Sequence, residues 1–257
     1  MNVFFVELTL FNIIMAAVSA LAGVSLFVLS IFVLNRIPAE WLCDYDEEPS
    51  EELLSQKRFK GGLLYVAGGI LSAAAFALVY LVFGFSLYTL ILTALTYVLI
   101  MVILSDGKYY IIPDQFAVFA GILSLIFAYY DLFNNQIIIK NWWSPLAAGA
   151  GVGLLIILVN LITLLIMKKD GMGFGDVKLF AAVGIATGFP GILTALLAAV
   201  LTAFLLIIGT LIVNAVRKKE THSYIPFGPS ICIGVFCTVV LHGPISHLIE
   251  LYFNLLK

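Results

Sequence analysis

The sequence predicts an all-α polytopic membrane protein of about eight transmembrane helices with its N-terminus outside. Three observations predict it. Of 257 residues, 63% are apolar and only 11% are charged, against about 25% charged in an ordinary soluble domain. The mean hydropathy is +1.13, and several apolar runs exceed the roughly 18 residues that mark a membrane-spanning helix. The basic residues fall almost entirely on alternate loops, which fixes an orientation. Thirteen basic and fifteen acidic residues are too few for a water-facing surface. A soluble domain, a disordered chain and a nucleic-acid binder are thereby excluded, and the lipid bilayer is the expected surrounding.

The first span, about residues 8–34, has no basic region before it, only Glu7. It is longer than the apolar region of a signal peptide and is read as retained. A polar stretch, residues 35–61, follows as one modest cytoplasmic loop. Further spans are expected at about 62–83, 86–104, 115–133 and 145–167. Gly188, Pro190 and Gly191 supply a turn signal that divides 176–189 from 191–213. Undivided, that run would be too long for a hydrocarbon core of about 30 Å. A last span covers about 229–252. With no internal repeat or low-complexity segment, residues 1–257 are read as one membrane domain.

With the N-terminus outside, the first loop places Arg36, Lys57, Arg58 and Lys60 in the cytoplasm. Lys108, Lys168, Lys169, Lys178, Arg217, Lys218 and Lys219 join them, leaving only Lys140 and Lys257 outside. That asymmetry matches the positive-inside rule. Trp142 and Trp143 beside Lys140 suit an interfacial aromatic belt.

The acids are few enough to be sorted one by one. Asp44, Asp46, Glu47, Glu48, Glu51 and Glu52 form a run in the first loop, with Glu40 beside it. Glu7, Asp131 and Glu250 lie near outer span ends, and Glu220 belongs to the last inner loop. Asp106, Asp114, Asp170 and Asp176 remain, all at cytoplasmic span ends. Asp114 follows Pro113 and opens a span, where helix capping accounts for it. Asp170 lies in a turn between Lys169 and Gly171.

A carboxylate at a membrane boundary is a functional hypothesis by default. Asp106 and Asp176 close and open different spans at one depth, so they can face each other. Two close carboxylates share one proton. One can then take a proton from an attacking water while the other donates to the substrate. Such a pair hydrolyses peptide bonds without metal or cofactor. Chemistry alone leaves capping or headgroup contact open as the alternative. Gly171, Gly173 and Gly175 precede Asp176 at alternate positions, which lets a substrate backbone approach the acid closely. The alternative is a flexible turn between two helices, which explains one or two glycines more easily than this spacing ending in an acid at the bilayer edge.

These residues resemble the bacterial type IV prepilin peptidases. Gly173-Phe174-Gly175-Asp176-Val177-Lys178-Leu179 is similar to their GxGD signature. Asp106, with Pro113 and Asp114 seven and eight residues on, is similar to their first aspartate motif. Ile225-Pro226-Phe227-Gly228-Pro229 resembles their IPFGP element, and Leu34-Asn35-Arg36-Ile37-Pro38 is weakly similar to their first cytoplasmic entry.

The resemblance implies an aspartic endopeptidase of the bacterial cytoplasmic membrane with Asp106 and Asp176 as its catalytic pair. Gly173, Gly175, Lys178, Pro113 and Asp114 would be motif residues along the substrate's approach. The substrate would be a prepilin or pseudopilin with a short basic leader, cut at the cytoplasmic face after a glycine that precedes its apolar helix. The resemblance also implies N-methylation of the new terminus with S-adenosylmethionine, although no glycine-rich nucleotide loop is present in the sequence. Many relatives carry two C-x-x-C pairs in the first loop; here only Cys43 is found there, so no zinc subdomain is expected.

Cys232 and Cys237 sit in an apolar run as small hydrophobes, and His222, His242 and His247 do not converge, so no metal site is expected. Lys178 either holds a negative charge beside the acids or snorkels to the headgroups. The acidic run 44–52 either attracts a basic leader or is a solvated loop. Ala67-Gly68-Gly69 and Gly149-Ala150-Gly151-Val152-Gly153 suit close helix packing. Two other functions fit an acid pair in a membrane: a proton- or cation-coupled transporter, and an intramembrane aspartic protease with other substrates. The oligomeric state is not readable from the sequence.

Overall fold

A computed structural model describes residues 5–43, 48–55, 58–59, 61–134, 136–168, 173–217 and 226–243. The helices are α1 (Leu10–Leu34), α2 (Glu51–Leu54), α3 (Gly62–Phe83), α4 (Leu87–Tyr109) and α5 (Asp114–Asn134). After them come α6 (Ser144–Met167), α7 (Phe174–Thr187), α8 (Gly191–Arg217) and α9 (Gly228–Val240). A short 3₁₀ turn, Ala39–Leu42, precedes α2. No strand occurs among the described residues. Among the described residues six helices, α1, α3, α4, α5, α6 and α8, are long and apolar enough to cross a membrane.

Sequence punctuation sets the helix ends. Thr9 caps α1 by accepting from the Asn12 N–H, and Ser86 does the same for α4 toward Thr89. Pro145 stands in the first turn of α6, where its missing N–H costs nothing. Gly188 ends α7 at a φ of +57°, a conformation that favours glycine. This break separates α7 from α8 where the Gly188, Pro190, Gly191 signal lies. The last span is the main difference from expectation. Helix α9 ends at Val240, and residues 244–257, with His247 and Glu250, lie outside the described part.

Helix α1 packs on α3, α4 on α5 and α9, α7 on α5, α6 and α9, and α8 on α9. Small residues permit these approaches. A Cβ on Gly23 would lie 2.7 Å from the Ser72 carbonyl oxygen, and one on Gly149 would lie 2.6 Å from that of Ala181. The stripe from Gly149 to Gly153 is thus a packing surface for α7, as small residues in lipid commonly are. The shared core runs from Phe27 and Ile31 through Leu99, Val102 and Phe116 to Phe180, Ile231 and Val235.

One end of the bundle is closed by a buried carboxylate. Asp131 is fully buried and accepts from the backbone N–H groups of Ile137, Ile138 and Ile139 at 3.0, 2.8 and 2.6 Å. The Tyr88 hydroxyl adds a fourth bond at 3.3 Å. At the same end Ser144 bonds both the N–H and the carbonyl of Phe189. Asp131 is therefore no solvated acid at a span end. It organises the turn between α5 and α6.

The opposite end gathers the loop 35–61. Arg58 is 4% exposed and donates to three backbone carbonyls, those of Leu34, Ile37 and Leu53. Asn35 accepts from the Phe59 N–H, and Lys108 bonds Glu52 and the Arg58 carbonyl. The described part of this loop is thus clasped to the ends of α1 and α4 rather than freely solvated. Of the acidic run, Asp44, Asp46 and Glu47 lie outside the described residues, Glu48 and Glu51 are exposed, and Glu52 pairs with Lys108 at 2.6 Å.

Candidate active site

The loop-bearing end also holds the two acids singled out in the sequence. Asp106 lies in the last turn of α4. That helix continues past the expected boundary to Tyr109, because Tyr110 adopts a left-handed conformation and its N–H caps the Asp106 carbonyl at 2.9 Å. The Asp106 side chain is 4% exposed. Its Oδ2 accepts from the Gly228 N–H at 2.9 Å, an otherwise unsatisfied donor at the start of α9. A Cβ on Gly228 would stand 2.7 Å from that oxygen. The glycine of the IPFGP segment is therefore required by the acid it faces.

Asp176 lies in the first turn of α7, where Gly173 takes the extended N-cap conformation and accepts from the Asp176 N–H at 3.1 Å. The residue is 7% exposed, and its buried Oδ1 has no hydrogen-bond partner among the described residues. Asp106 and Asp176 lie close enough to interact electrostatically, and both act on the buried Cys232 of α9. Ile112 fills the space between their supports. It would touch a Cβ on Gly175 at 3.5 Å and one on Gly228 at 3.1 Å.

Beside the acids lies a cleft of about 420 Å³, walled by Gly173, Phe174 and Gly175 on one side and Ile112, Pro113 and Asp114 on another. Lys178 crosses to Asp114 at 2.9 and 3.1 Å, joining the first turns of α7 and α5. Lys178 pairs with Asp114, so Asp114 takes part in an ion pair as well as opening α5. An apolar cavity of about 410 Å³ lies between α1, α3, α4 and α9, with Cys232 and Leu104 in its wall.

Asp106, Pro113, Asp114, Gly173, Gly175, Asp176 and Lys178 thus converge at one end of the bundle. Asp170, Gly171 and Met172, and Ile225 of the IPFGP segment, lie outside the described residues. The sequence reading missed Glu40 and Trp41, which complete the cleft, and Arg58, which anchors their loop. It also missed the role of Asp131. The available signal was an acid in the last turn of a helix, where the dipole disfavours negative charge unless partners compensate it. Among the described residues no group of three or more His, Cys, Asp or Glu could hold a metal ion.

The sequence that carries these residues has counterparts among known proteins. Residues 93–208 match the type IV leader peptidase family. The matched stretch takes in Asp106, Pro113, Asp114 and the whole segment from Gly173 to Lys178. A prepilin leader peptidase/N-methyltransferase of Pseudomonas putida is 32% identical over 163 residues, 62% of this chain and 52% of that protein. One from Stutzerimonas stutzeri is 33% identical over 153 residues, 59% of this chain and 49% of that protein. One from Bacillus subtilis is 27% identical over 173 residues, 66% of this chain and 63% of that protein. The chain spans about half the length of the first two of these relatives that it matches. No solved structure gives a significant match.

Proposed function

We propose that this leader-peptidase-like chain is a membrane-embedded aspartic endopeptidase that removes the leader of a type IV prepilin or pseudopilin at the cytoplasmic face. The observation that carries this reading is two buried aspartates at one end of the bundle, within electrostatic range of each other, with a cleft walled by the Gly173 and Gly175 that lead into Asp176. Its helix-terminal position suits work on a peptide bond better than a relay across the membrane, where broken helices at midplane would be expected.

Asp106 and Asp176 hold one proton between them. The ionised carboxylate takes a proton from the water that attacks the scissile carbonyl, and the protonated one delivers its proton to the leaving amine. Gly228 steadies Asp106 through its N–H, and the unpartnered Asp176 Oδ1 is left to engage water or substrate. Bare glycine backbone at 173 and 175 lets an extended substrate run close to the acids. The substrate's apolar helix rests in the apolar cavity lined by Leu104 and Cys232, on the helices α4 and α9 that also carry Asp106 and Gly228. In this reading the chain sits in a bacterial cytoplasmic membrane with its N-terminus outside.

The relatives' printed name includes an N-methyltransferase, whose methyl donor would be S-adenosylmethionine. The glycine-rich stretch that opens α7 carries Asp176 in its first turn, and no strand among the described residues precedes it, so it is not read as a nucleotide loop. No step runs through that cofactor.

The test is incubation of the purified full-length chain with a prepilin, reading the cut by mass spectrometry. Cleavage after the glycine before the apolar helix is expected, and Asp106→Asn and Asp176→Asn should each abolish it. A variant that processes the substrate at the normal rate removes its aspartate from the mechanism. Asp106-dependent ion flux in liposomes without cleavage would replace the protease reading with transport.

A further inference from the structure

The cleft beside the acids is completed by a segment of the first cytoplasmic loop, Glu40, Trp41 and Cys43. Among the described residues three charged side chains line it: Glu40, Asp114 and Lys178. Asp114 and Lys178 pair with each other, so their charges offset. The Glu40 side chain is exposed at the rim and has no ion-pair or hydrogen-bond partner among the described residues. Trp41, Tyr110 and Phe174 line the same cleft. One uncompensated carboxylate among aromatic rings is a receptor for a cationic side chain, through a charge-assisted hydrogen bond and cation–π contact.

The turn that carries Glu40 is anchored to the bundle. Leu42 is buried beside Glu40, and Arg58 fixes the loop by bonding the carbonyls of Leu34 and Ile37, just before the turn that carries Glu40. The same cleft is walled by Gly173 and Gly175, which lead directly into Asp176.

We propose that Glu40 is a specificity residue that binds a lysine or arginine side chain of the substrate, on the stretch of extended peptide lying along Gly173 to Gly175 next to the scissile bond. The assignment of that peptide as substrate rests on the protease reading above. The occupancy of the cleft by a cationic peptide does not require cleavage. Glu40 touches neither the acids nor the helix core, so its role is in binding and not in the chemical step.

The full-length chain in detergent or nanodiscs tests this with two synthetic peptides. Each has a glycine followed by an apolar helix, one with lysines before the glycine and one with glutamines at those positions. Fluorescence anisotropy reads binding and mass spectrometry reads cleavage. A partly exposed charge pair contributes up to about 1 kcal/mol, or roughly fivefold. Glu40→Gln should therefore weaken binding of the lysine peptide about fivefold and raise KM to match, with kcat unchanged and the glutamine peptide unaffected. Glu40→Lys should reverse the preference between the lysine peptide and one carrying glutamates. If the protein cleaves and Glu40→Gln binds both peptides as wild type does, the proposal fails and the protease reading stands. If nothing is cleaved but binding of the lysine peptide depends on Glu40, the proposal stands and the protease reading fails.

Discussion

Replacing Gly228 by alanine separates the catalytic geometry from the fold. The new Cβ would stand 2.7 Å from Asp106 Oδ2 and 3.1 Å from Asp106 Cγ and from Ile112 Cδ1. Every one of these atoms belongs to a side chain, so the carboxylate swings aside and the backbone stays. The Gly228 N–H bond to Asp106, now 2.9 Å, is then lost. A hydrogen bond to a charged group is worth about 1.5–3 kcal/mol, which corresponds to roughly 10- to 100-fold in rate if it steadies the reacting state. Prepilin cleavage by Gly228→Ala should fall by that factor while the thermal unfolding midpoint in detergent stays near wild type. Gly234 is the comparison. A Cβ there would lie 2.7 Å from the Ala195 carbonyl oxygen and from the Ala199 amide nitrogen. Backbone cannot yield, so Gly234→Ala should lower the midpoint as α8 and α9 are forced apart. Cleavage by folded Gly228→Ala within about twofold of wild type would refute the role of this contact in holding Asp106.

Arg58→Ala should release the first loop, since it removes three hydrogen bonds from a buried charged donor to backbone carbonyls. Limited proteolysis should then cut at residues 48–55 well before the helices, with a stability loss of about 2–4 kcal/mol. Arg58→Lys should rescue only in part, because an ammonium lacks the planar fork that spans several acceptors. Asp131→Asn should lower the unfolding midpoint. An amide keeps one accepting oxygen but turns an NH2 donor toward at least one N–H that needs an acceptor, at a cost of about 1–3 kcal/mol for each group left unmet. Because Asp131 sits at the end away from the acids, the cleavage position should not change, and mass spectrometry checks that.

The spans were legible because run length and turn punctuation are local properties. Residues 62–83 were read as a span, and the helix covers Gly62–Phe83. Gly188 and Gly191 divided α7 from α8 where the chain turns. The aspartates were legible for a related reason: charges are so few in this chain that each one has to be explained. Side-chain partners were another matter. Lys178 finds Asp114 only because α5 and α7 lie side by side, and nothing at either position announces that neighbour. Arg58 reads as one of several loop cations until the ends of α1 and α4 are placed beside it. The motifs located Asp106 and Asp176, but they did not show that Gly228 holds one and leaves the other with a free oxygen.

The close contact between α6 and α7 also sets a depth. Gly153 lies beside Ala181. From Gly153, α6 runs on to Met167, about 21 Å at 1.5 Å per residue, whereas from Ala181 back to the start of α7 at Phe174 is only about 10 Å. Helix α6 therefore overtops the start of α7 by roughly 10 Å. Its upper turns carry Leu161, Leu165 and Ile166 exposed, which marks them as facing lipid. Asp176, in the first turn of α7, consequently lies below the lipid-facing end of α6, so on the reading proposed above a chain that reaches it runs alongside the upper turns of α6.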